Sequence, residues 1–204
     1  SVAGLPLEDE WMRAFMPPPL ADGTLAVQIV SSGPDTDASP LKSGLLEMLY
    51  TARKNVFIQT PYFTPDDSFL DALRIAAGSD LDIKLMLPGK SDNPLVQAAT
   101  CSYARQMLNT GVRVYMYKGF LHAKTIVFDR AAASIGTANL DYRSFSLNFE
   151  INAFIYDPDF AAQCEDAFLR DLDNCIELDE DWFERLSPFT RAAYSAARLL
   201  APVI

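Results

Sequence analysis

A chain of 204 residues, half of them apolar, can bury the core of one substantial domain. Its 17 lysines and arginines against 27 aspartates and glutamates leave a formal charge of −10, which disfavours attraction to the phosphate backbone of a nucleic acid. Cys101, Cys164 and Cys175 are odd in number and lack metal-like spacing, so they read as reduced, mostly buried thiols of a cytosolic compartment rather than a disulfide framework. No window approaches about 18 uninterrupted apolar residues, and "SVAGLPLEDEW" has neither the basic start nor the apolar run of a signal peptide. The expectation is a soluble chain that neither spans a membrane nor carries an export signal.

In chain order, residues 1–24 are Pro-rich ("FMPPPLADG") and aperiodic, and read as an arm or connector. The domain proper is expected over 25–204. "LAVQIV" reads as a buried strand, and "SPLKSGLLEMLYTARKN" as a helix with Ser39 at its N-cap and Pro40 at its first position. "VFIQT" is a second strand, followed by a helix over "TPDDSFLDALRIAAG" that has acidic residues in its first turn and Gly78 at its end. "LDIKLML" is a third strand, a helix runs from about Pro94 to Asn109, and Gly111 leads into "VRVYMY". Strands separated by helices predict a largely parallel sheet covered on both faces. After Gly119 three β-like runs, "LHAKTIVF", "AAASIGT" and "NFEINAFIY", leave no room for helices and should pair antiparallel. Helical segments at about 158–174 and 180–200 close the chain. The last of these, "RAAYSAARLLAPVI", has spaced cations and an apolar face, and reads as a docking helix or a segment touching a bilayer interface.

The chain holds one histidine, His122, two positions before Lys124. A lone histidine on an apolar run is ordinarily a core residue satisfied by a neighbour. On a strand, however, side chains at i and i+2 share a face, so an imidazole and an ammonium are presented together. Burying that pair without an anion is costly, so the pair calls for an anionic ligand. On the next run Thr137 and Asn139 repeat the two-residue spacing, and Gly136 permits a close backbone approach to a ligand. A hairpin turning at Asp129 and Arg130 would bring the two runs side by side. It would unite a nucleophile, a cation and neutral donors, the groups that a phosphodiester transition state demands.

His122, Lys124, Asp129, Gly136, Thr137 and Asn139 resemble the H-x-K-x4-D-x6-G-[ST]-x-N signature of the phospholipase D superfamily at every interval. "VQIVSSGPD", "PYFTPDDSFLDAL", "LPGKSDNPLV" and "NLDYRSFSLNFEIN" further look like the C-terminal half of bacterial cardiolipin synthases, and the resemblance covers roughly residues 25–204. Thr137 stands where serine is usual, which keeps the hydroxyl. The resemblance implies a phospholipase D-like α/β fold, a mixed β-sheet flanked by helices on both faces. It also implies a phosphatidyltransferase reaction in which His122 attacks phosphorus to give a phosphohistidine intermediate, with no metal or other cofactor. Lys124 and Asn139 would hold the non-bridging oxygens, Thr137 would add a hydrogen bond, and Glu150 matches the family's carboxylate that orients a catalytic imidazole. Asp129 reads as a turn or ion-pair residue before a chemical one.

Tyr62, in a Pro-flanked loop, is a candidate for the substrate pocket or for packing. Lys90 and Arg143 are candidates for a phosphate or headgroup and otherwise solvated cations. One imidazole cannot serve both as nucleophile and as acid for the leaving alkoxide, and the family uses a second histidine. The chain is therefore read as the C-terminal half of a two-motif enzyme whose N-terminal domain supplies the second site, or as one copy of a symmetric dimer, and as an isolated monomer it is expected to fold but to turn over a phosphodiester poorly or not at all. The implied partners are a phospholipid, phosphatidylglycerol foremost, the second phospholipase D-like half, and a membrane surface at the cytoplasmic face of the cell membrane. The alternatives are a homodimeric single-motif phosphodiesterase, nuclease or phospholipase D, and an assembly module.

Overall fold

The computed structural model describes residues 23–36 and 39–201. The predicted N-terminal arm, residues 1–24, lies almost wholly outside the described residues. Among the described residues ten strands and seven α-helices follow one another as β1 (Val27–Ser32), α1 (Pro40–Thr51), β2 (Asn55–Gln59), β3 (Phe63–Thr64), α2 (Asp67–Ala77), β4 (Asp82–Pro88), α3 (Pro94–Leu108), β5 (Arg113–Tyr117), β6 (Thr125–Phe128), β7 (Ala132–Gly136), β8 (Leu140–Asp141), α4 (Tyr142–Ser146), β9 (Glu150–Ile155), α5 (Pro158–Asp171), β10 (Cys175–Leu178), α6 (Glu180–Glu184) and α7 (Pro188–Leu199). Eight strands make one mixed sheet in the order β1-β9-β7-β6-β2-β4-β5-β10, and β3 and β8 form a small parallel pair of their own.

The parallel core is β2-β4-β5. "NVFIQ" and "DIKLMLP" are buried almost throughout because helices cover both faces. Alternation sorts β2: Val56 and Ile58 face the large core under α1, α2 and α3, whereas Phe57 faces Phe168 of α5 and its neighbours Met86 and Tyr115. Side-chain caps start most helices. Asp66, Asn93, Asp157 and Ser187 each accept a backbone N–H from the first turn of the helix that follows. Ser39 is the N-cap of α1 but spends its hydroxyl elsewhere, donating to the Phe145 carbonyl at 2.7 Å.

Two expectations need correction. "LAVQIV" is not a buried strand of the parallel set: β1 pairs antiparallel with β9, and Val27 and Ile29 are exposed. Helix α1 packs against β1 and leaves Val27 and Ile29 uncovered. The antiparallel pairing expected of the three runs after Gly119 is present, β6, β7 and β9 entering the sheet antiparallel, which leaves β2-β4-β5 as its parallel part. The segment 180–200 is two helices, since Ser187 and Pro188 start α7 afresh. The short strand β10, antiparallel to β5, has no counterpart in the periodicity reading. Helix α7 docks on α3, with Ala197 buried and the Arg198 guanidinium 4.9 Å from the Tyr103 ring. No helix among the described residues is long and apolar enough to cross a membrane.

The β6–β7 hairpin turns at Asp129 and Arg130, both left-handed with φ of 55° and 56°. Asp129 does more than turn the chain. Its carboxylate accepts the backbone N–H groups of Arg53 (2.7 Å), Lys54 (2.7 Å) and Asn55 (3.0 Å), which pins the hairpin to the start of β2. Hydrogen bonds to a charged acceptor stabilise by about 1.5–3 kcal/mol each and are not additive, so Asp129→Ala is expected to cost roughly 2–4 kcal/mol. Asp129→Asn, which keeps one carbonyl acceptor and tolerates the left-handed region, should lose less. Urea denaturation of the two variants checks the order, and an unchanged midpoint for Asp129→Ala would remove the clamp.

Candidate active site

The site lies where β2 and β4 end and β6 begins. β6 runs antiparallel to β2 with Thr125 opposite Gln59, so the residues leading into β6 emerge at the edge where β2 stops. His122 and Lys124 occupy that lead-in. They precede the ladder rather than stand on it, but the segment preserves their common orientation: Lys124 Nζ lies 3.0 Å from His122 Nδ1 and donates to the His122 carbonyl at 3.1 Å. An ammonium can only donate, so Nδ1 accepts here and the proton of a neutral ring sits on Nε2. His122 is exposed, with the Phe120 ring stacked on one side (5.9 Å between centroids, 7°) and the edge of Tyr62 on another (6.3 Å, 90°).

A second group forms around the buried Glu150 at the start of β9. Thr137 and Ser144 donate their hydroxyls to its two oxygens, and Asn148 adds its amide at 3.3 Å. Thr137 Oγ1 also accepts the Ile151 N–H at 2.9 Å. Among the described residues no hydrogen bond joins Glu150 to His122. Asn139 is held by its backbone N–H on Ser144 Oγ (3.1 Å), and its side-chain oxygen is buried without a partner. Gly136 makes its close approach to protein rather than to a ligand, correcting the sequence expectation: a Cβ there would stand 2.3 Å from the Ile151 carbonyl and 2.2 Å from Asn152 Oδ1.

Burial holds the Lys124 ammonium below the ordinary lysine value, against the pull of Glu150, Asp141 and Asp92. Burial likewise raises the Asp141 carboxyl. Tyr62 is pushed up to about 12, by burial first and then by donating to the Asp92 carboxylate at 2.6 Å, so the phenol stays neutral at pH 7.

Two clefts lie beside the rings that contact the imidazole, Phe120 lining one and Tyr62 the other, while His122 and Lys124 themselves line neither. One, of about 280 Å³, is lined by Tyr62, Asn139, Asp141, Arg143 and Asn148 among others. The other, of about 410 Å³, is lined by Lys90, Ser91, Asp92, Lys118, Gly119 and Phe120. A larger hollow of about 560 Å³ beside α1 contains none of the motif residues. The structure thus brings His122, Lys124 and Tyr62 into contact, sets Thr137 on Glu150, and puts Asn139 and Arg143 in one adjoining cleft and Lys90 in the other. Asp129 stands apart, at the far end of β6. Among the described residues no cluster of histidine, cysteine and carboxylate side chains has the arrangement of a metal site.

Asp92, Asp141, Ser144, Asn148, Lys118 and Phe120 were not singled out from sequence. The Asp-x-x-Ser spacing of Asp141 and Ser144 is a helix-capping signal, and Asp141 does accept the Ser144 N–H at 2.7 Å. Phe120 and Lys118 carry no local signal, since only the fold brings them beside His122.

The family profile described as "Cardiolipin synthase, PLD-like domain" matches residues 45–172. The chain belongs to this family of phospholipase D-like domains. It is 47% identical over 186 residues to the cardiolipin synthase of Clostridium perfringens, covering 91% of this chain and 39% of that protein. Its identity to the cardiolipin synthase of Listeria monocytogenes is 41% over 196 residues, covering 96% of this chain and 41% of that one. The chain therefore spans about two-fifths of the length of these curated relatives. The phospholipase D-like fold is shared with the solved structure of Nuc, a phospholipase D family member from Salmonella typhimurium (TM-score 0.65, 17% identity, 76% of this chain and 99% of that one). It is also shared with the phosphatidylserine synthase of Haemophilus influenzae (TM-score 0.68, 15% identity, 88% and 48%). The mixed sheet flanked by helices is the architecture that the signature implied.

Two outcomes are expected of this phospholipase D-like site. Gly136→Ala must push β7 from β9, because a backbone carbonyl at 2.3 Å cannot rotate away; a loss of roughly 3 kcal/mol or more in thermal or urea unfolding is expected, and wild-type stability would disprove the contact. Asp141 has the opposite sign from most carboxylates. Its folded pKa is raised above the ordinary 3.8, so its contribution is favourable below that value and is lost as pH rises through the folded one. Asp141→Asn, which retains a capping oxygen, should gain stability relative to wild type on going from pH 3.5 to pH 7. A difference that shrinks or stays flat over that range overturns the assignment.

Proposed function

We propose that this chain is the C-terminal half-site of a cardiolipin synthase-type phosphatidyltransferase, with His122 as its nucleophile. The observation that carries the reading is an exposed imidazole with an ammonium 3.0 Å from one ring nitrogen, in contact with the Phe120 and Tyr62 rings that line two neighbouring clefts, in a domain of the cardiolipin synthase family. A phosphodiester entering there would draw Lys124 onto its non-bridging oxygens and release His122 Nδ1 from that contact. A ring nitrogen then attacks phosphorus, the N–P bond forms, and the P–O bond to glycerol breaks, leaving a phosphohistidine. In the second step the hydroxyl of another lipid attacks phosphorus, the N–P bond breaks, and the imidazole is regenerated. Asn139 lines the adjoining cleft, and its side-chain N–H is assigned to a non-bridging oxygen of the substrate. Thr137 acts by fixing Glu150.

The leaving alkoxide needs an acid. Tyr62, with its pKa pushed up to about 12, is poorly matched to that task, and the chain has no second imidazole. We assign the acid to a second phospholipase D-like half. Since Glu150 makes no hydrogen bond to His122, an imidazole that it orients would be the one this second half brings. The substrate is taken to be phosphatidylglycerol, met at the cytoplasmic face of the membrane. A second reading, a symmetric dimer hydrolysing a phosphodiester, draws on the coverage of 99% of the Salmonella chain, a protein of comparable extent. The charge of −10 weighs against a nucleic-acid substrate in either case.

In the natural full-length protein, His122→Asn should lower phosphatidyl transfer between phosphatidylglycerol vesicles by more than about a hundredfold with the fold intact by circular dichroism, because covalent catalysis is lost. Transfer should survive exhaustive chelation by EDTA, since Lys124 supplies the positive charge. Retained turnover in the variant removes His122 as nucleophile; magnesium-dependent rescue after chelation removes the metal-free mechanism.

A further inference from the structure

A transferase that joins two phospholipids must hold two phosphates, one reacting and one carried by the incoming alcohol and left intact. Lys124 serves the first. The cleft of about 410 Å³ on the Phe120 side of His122 has the cations for the second: Lys90, from the loop after β4, and Lys118, from the end of β5, both line it. Neither makes an ion pair with a described carboxylate, whereas Lys42 and Lys84 are paired with Asp66 and Asp82. In a chain that carries ten more acids than bases, two unpaired lysines on one cleft create a local reversal of the field.

The one carboxylate lining that cleft, Asp92, forms no ion pair with either lysine. It accepts the Tyr62 hydroxyl at 2.6 Å and the Ser91 hydroxyl at 3.1 Å. This hydrogen bond also builds a partition, for Asp92 lines the lysine cleft while Tyr62 lines the cleft that holds Asn139 and Arg143. His122 stands at the partition, stacked on Phe120 of one cleft and edge-on to Tyr62 of the other. Phe120 is 79% exposed, so its ring offers an apolar wall at the mouth of the lysine cleft and screens one face of the imidazole from water.

We propose that Lys90 and Lys118 form a second anion subsite that binds the non-reacting phosphate of the acceptor lipid and thereby favours an anionic lipid alcohol over neutral alcohols and water. The assignment rests on the transferase reading above, and it concerns binding at a distance from phosphorus. Two point charges on flexible stems suit a phosphate whose position varies with the lipid, and their contribution is realised only when the acceptor is anionic.

The test uses the natural full-length protein as wild type, K90A/K118A and K90R/K118R. In the first arm the phosphatidyl group is partitioned between phosphatidylglycerol and ethanol as competing acceptors. The alanine pair should lower the phosphatidylglycerol-to-ethanol product ratio roughly tenfold or more, and the arginine pair should restore most of it. In the second arm, calorimetry follows the binding of dihexanoylphosphatidylglycerol and, separately, of inorganic phosphate. The alanine pair should weaken the lipid by a similar factor, and phosphate should bind far more weakly than the lipid. An unchanged ratio with unchanged binding overturns the subsite, as does phosphate binding as tightly as the lipid, which would make the cleft a general anion site. If the full-length protein transfers no phosphatidyl group, the binding arm decides alone: lipid binding lost in the alanine pair upholds the cleft while the transferase reading falls, and binding retained overturns both.

Discussion

The arrangement of the site depends on a single register, that of β6 against β2. Because β6 runs opposite to its parallel neighbour and starts where β2 ends, its lead-in is delivered to the edge of the sheet at which the parallel strands terminate. Ligands of open α/β sheets collect at that edge, outside the carboxyl ends of the parallel strands. Everything reactive follows from this placement. The loop after β2 supplies Tyr62, the loop after β4 supplies Asp92, and the return from β7 to β9 brings Thr137 and Glu150 alongside. A shift of one residue in β6 would turn His122 and Lys124 to the opposite face.

Charge in the site is balanced by depth. Lys124 loses hydration on burial, which favours the neutral amine, while Glu150, Asp141 and Asp92 hold its charge in place. The three carboxylates are not equivalent. Glu150 accepts two hydroxyls and an amide, Asp141 caps a helix, and Asp92 is engaged by Tyr62 and Ser91. Among the described residues none forms an ion pair with Lys124, so the ammonium rests on the imidazole and remains available to an incoming anion. A salt bridge in its place would have to be broken before substrate could bind.

Much of this was legible in the sequence, and the failures have physical causes. The periodic helices α1, α2 and α3 and the apolar strands β2, β4 and β5 were readable because burial on both faces leaves a continuous apolar signature. The same rule misled at β1: "LAVQIV" has the composition of a buried strand, but only its place at the sheet edge determines what covers it. The spacing of His122, Lys124, Thr137 and Asn139 carried the site because extended chain has a two-residue period whether or not it is hydrogen-bonded into a ladder. Phe120, Lys118 and Asp92 were invisible since their neighbourhood is created by loops from different strands. Gly136 was correctly marked as a point of close approach, with the wrong partner. The approach is to Ile151, and no single-chain pattern states which strand lies beside another.

The pairing of β1 with β9 joins segments far apart in the chain, Val27 standing opposite Ile155. Strands β2, β4 and β5 can assemble from neighbours only a helix apart, whereas β1 waits for a segment that the ribosome delivers more than half a domain later. Closing so long a loop is entropically unfavourable until the rest of the sheet has formed. Strand β1, at one edge of the sheet, can therefore find its partner only after β9 has been made, and until then its backbone donors and acceptors have no ladder to join.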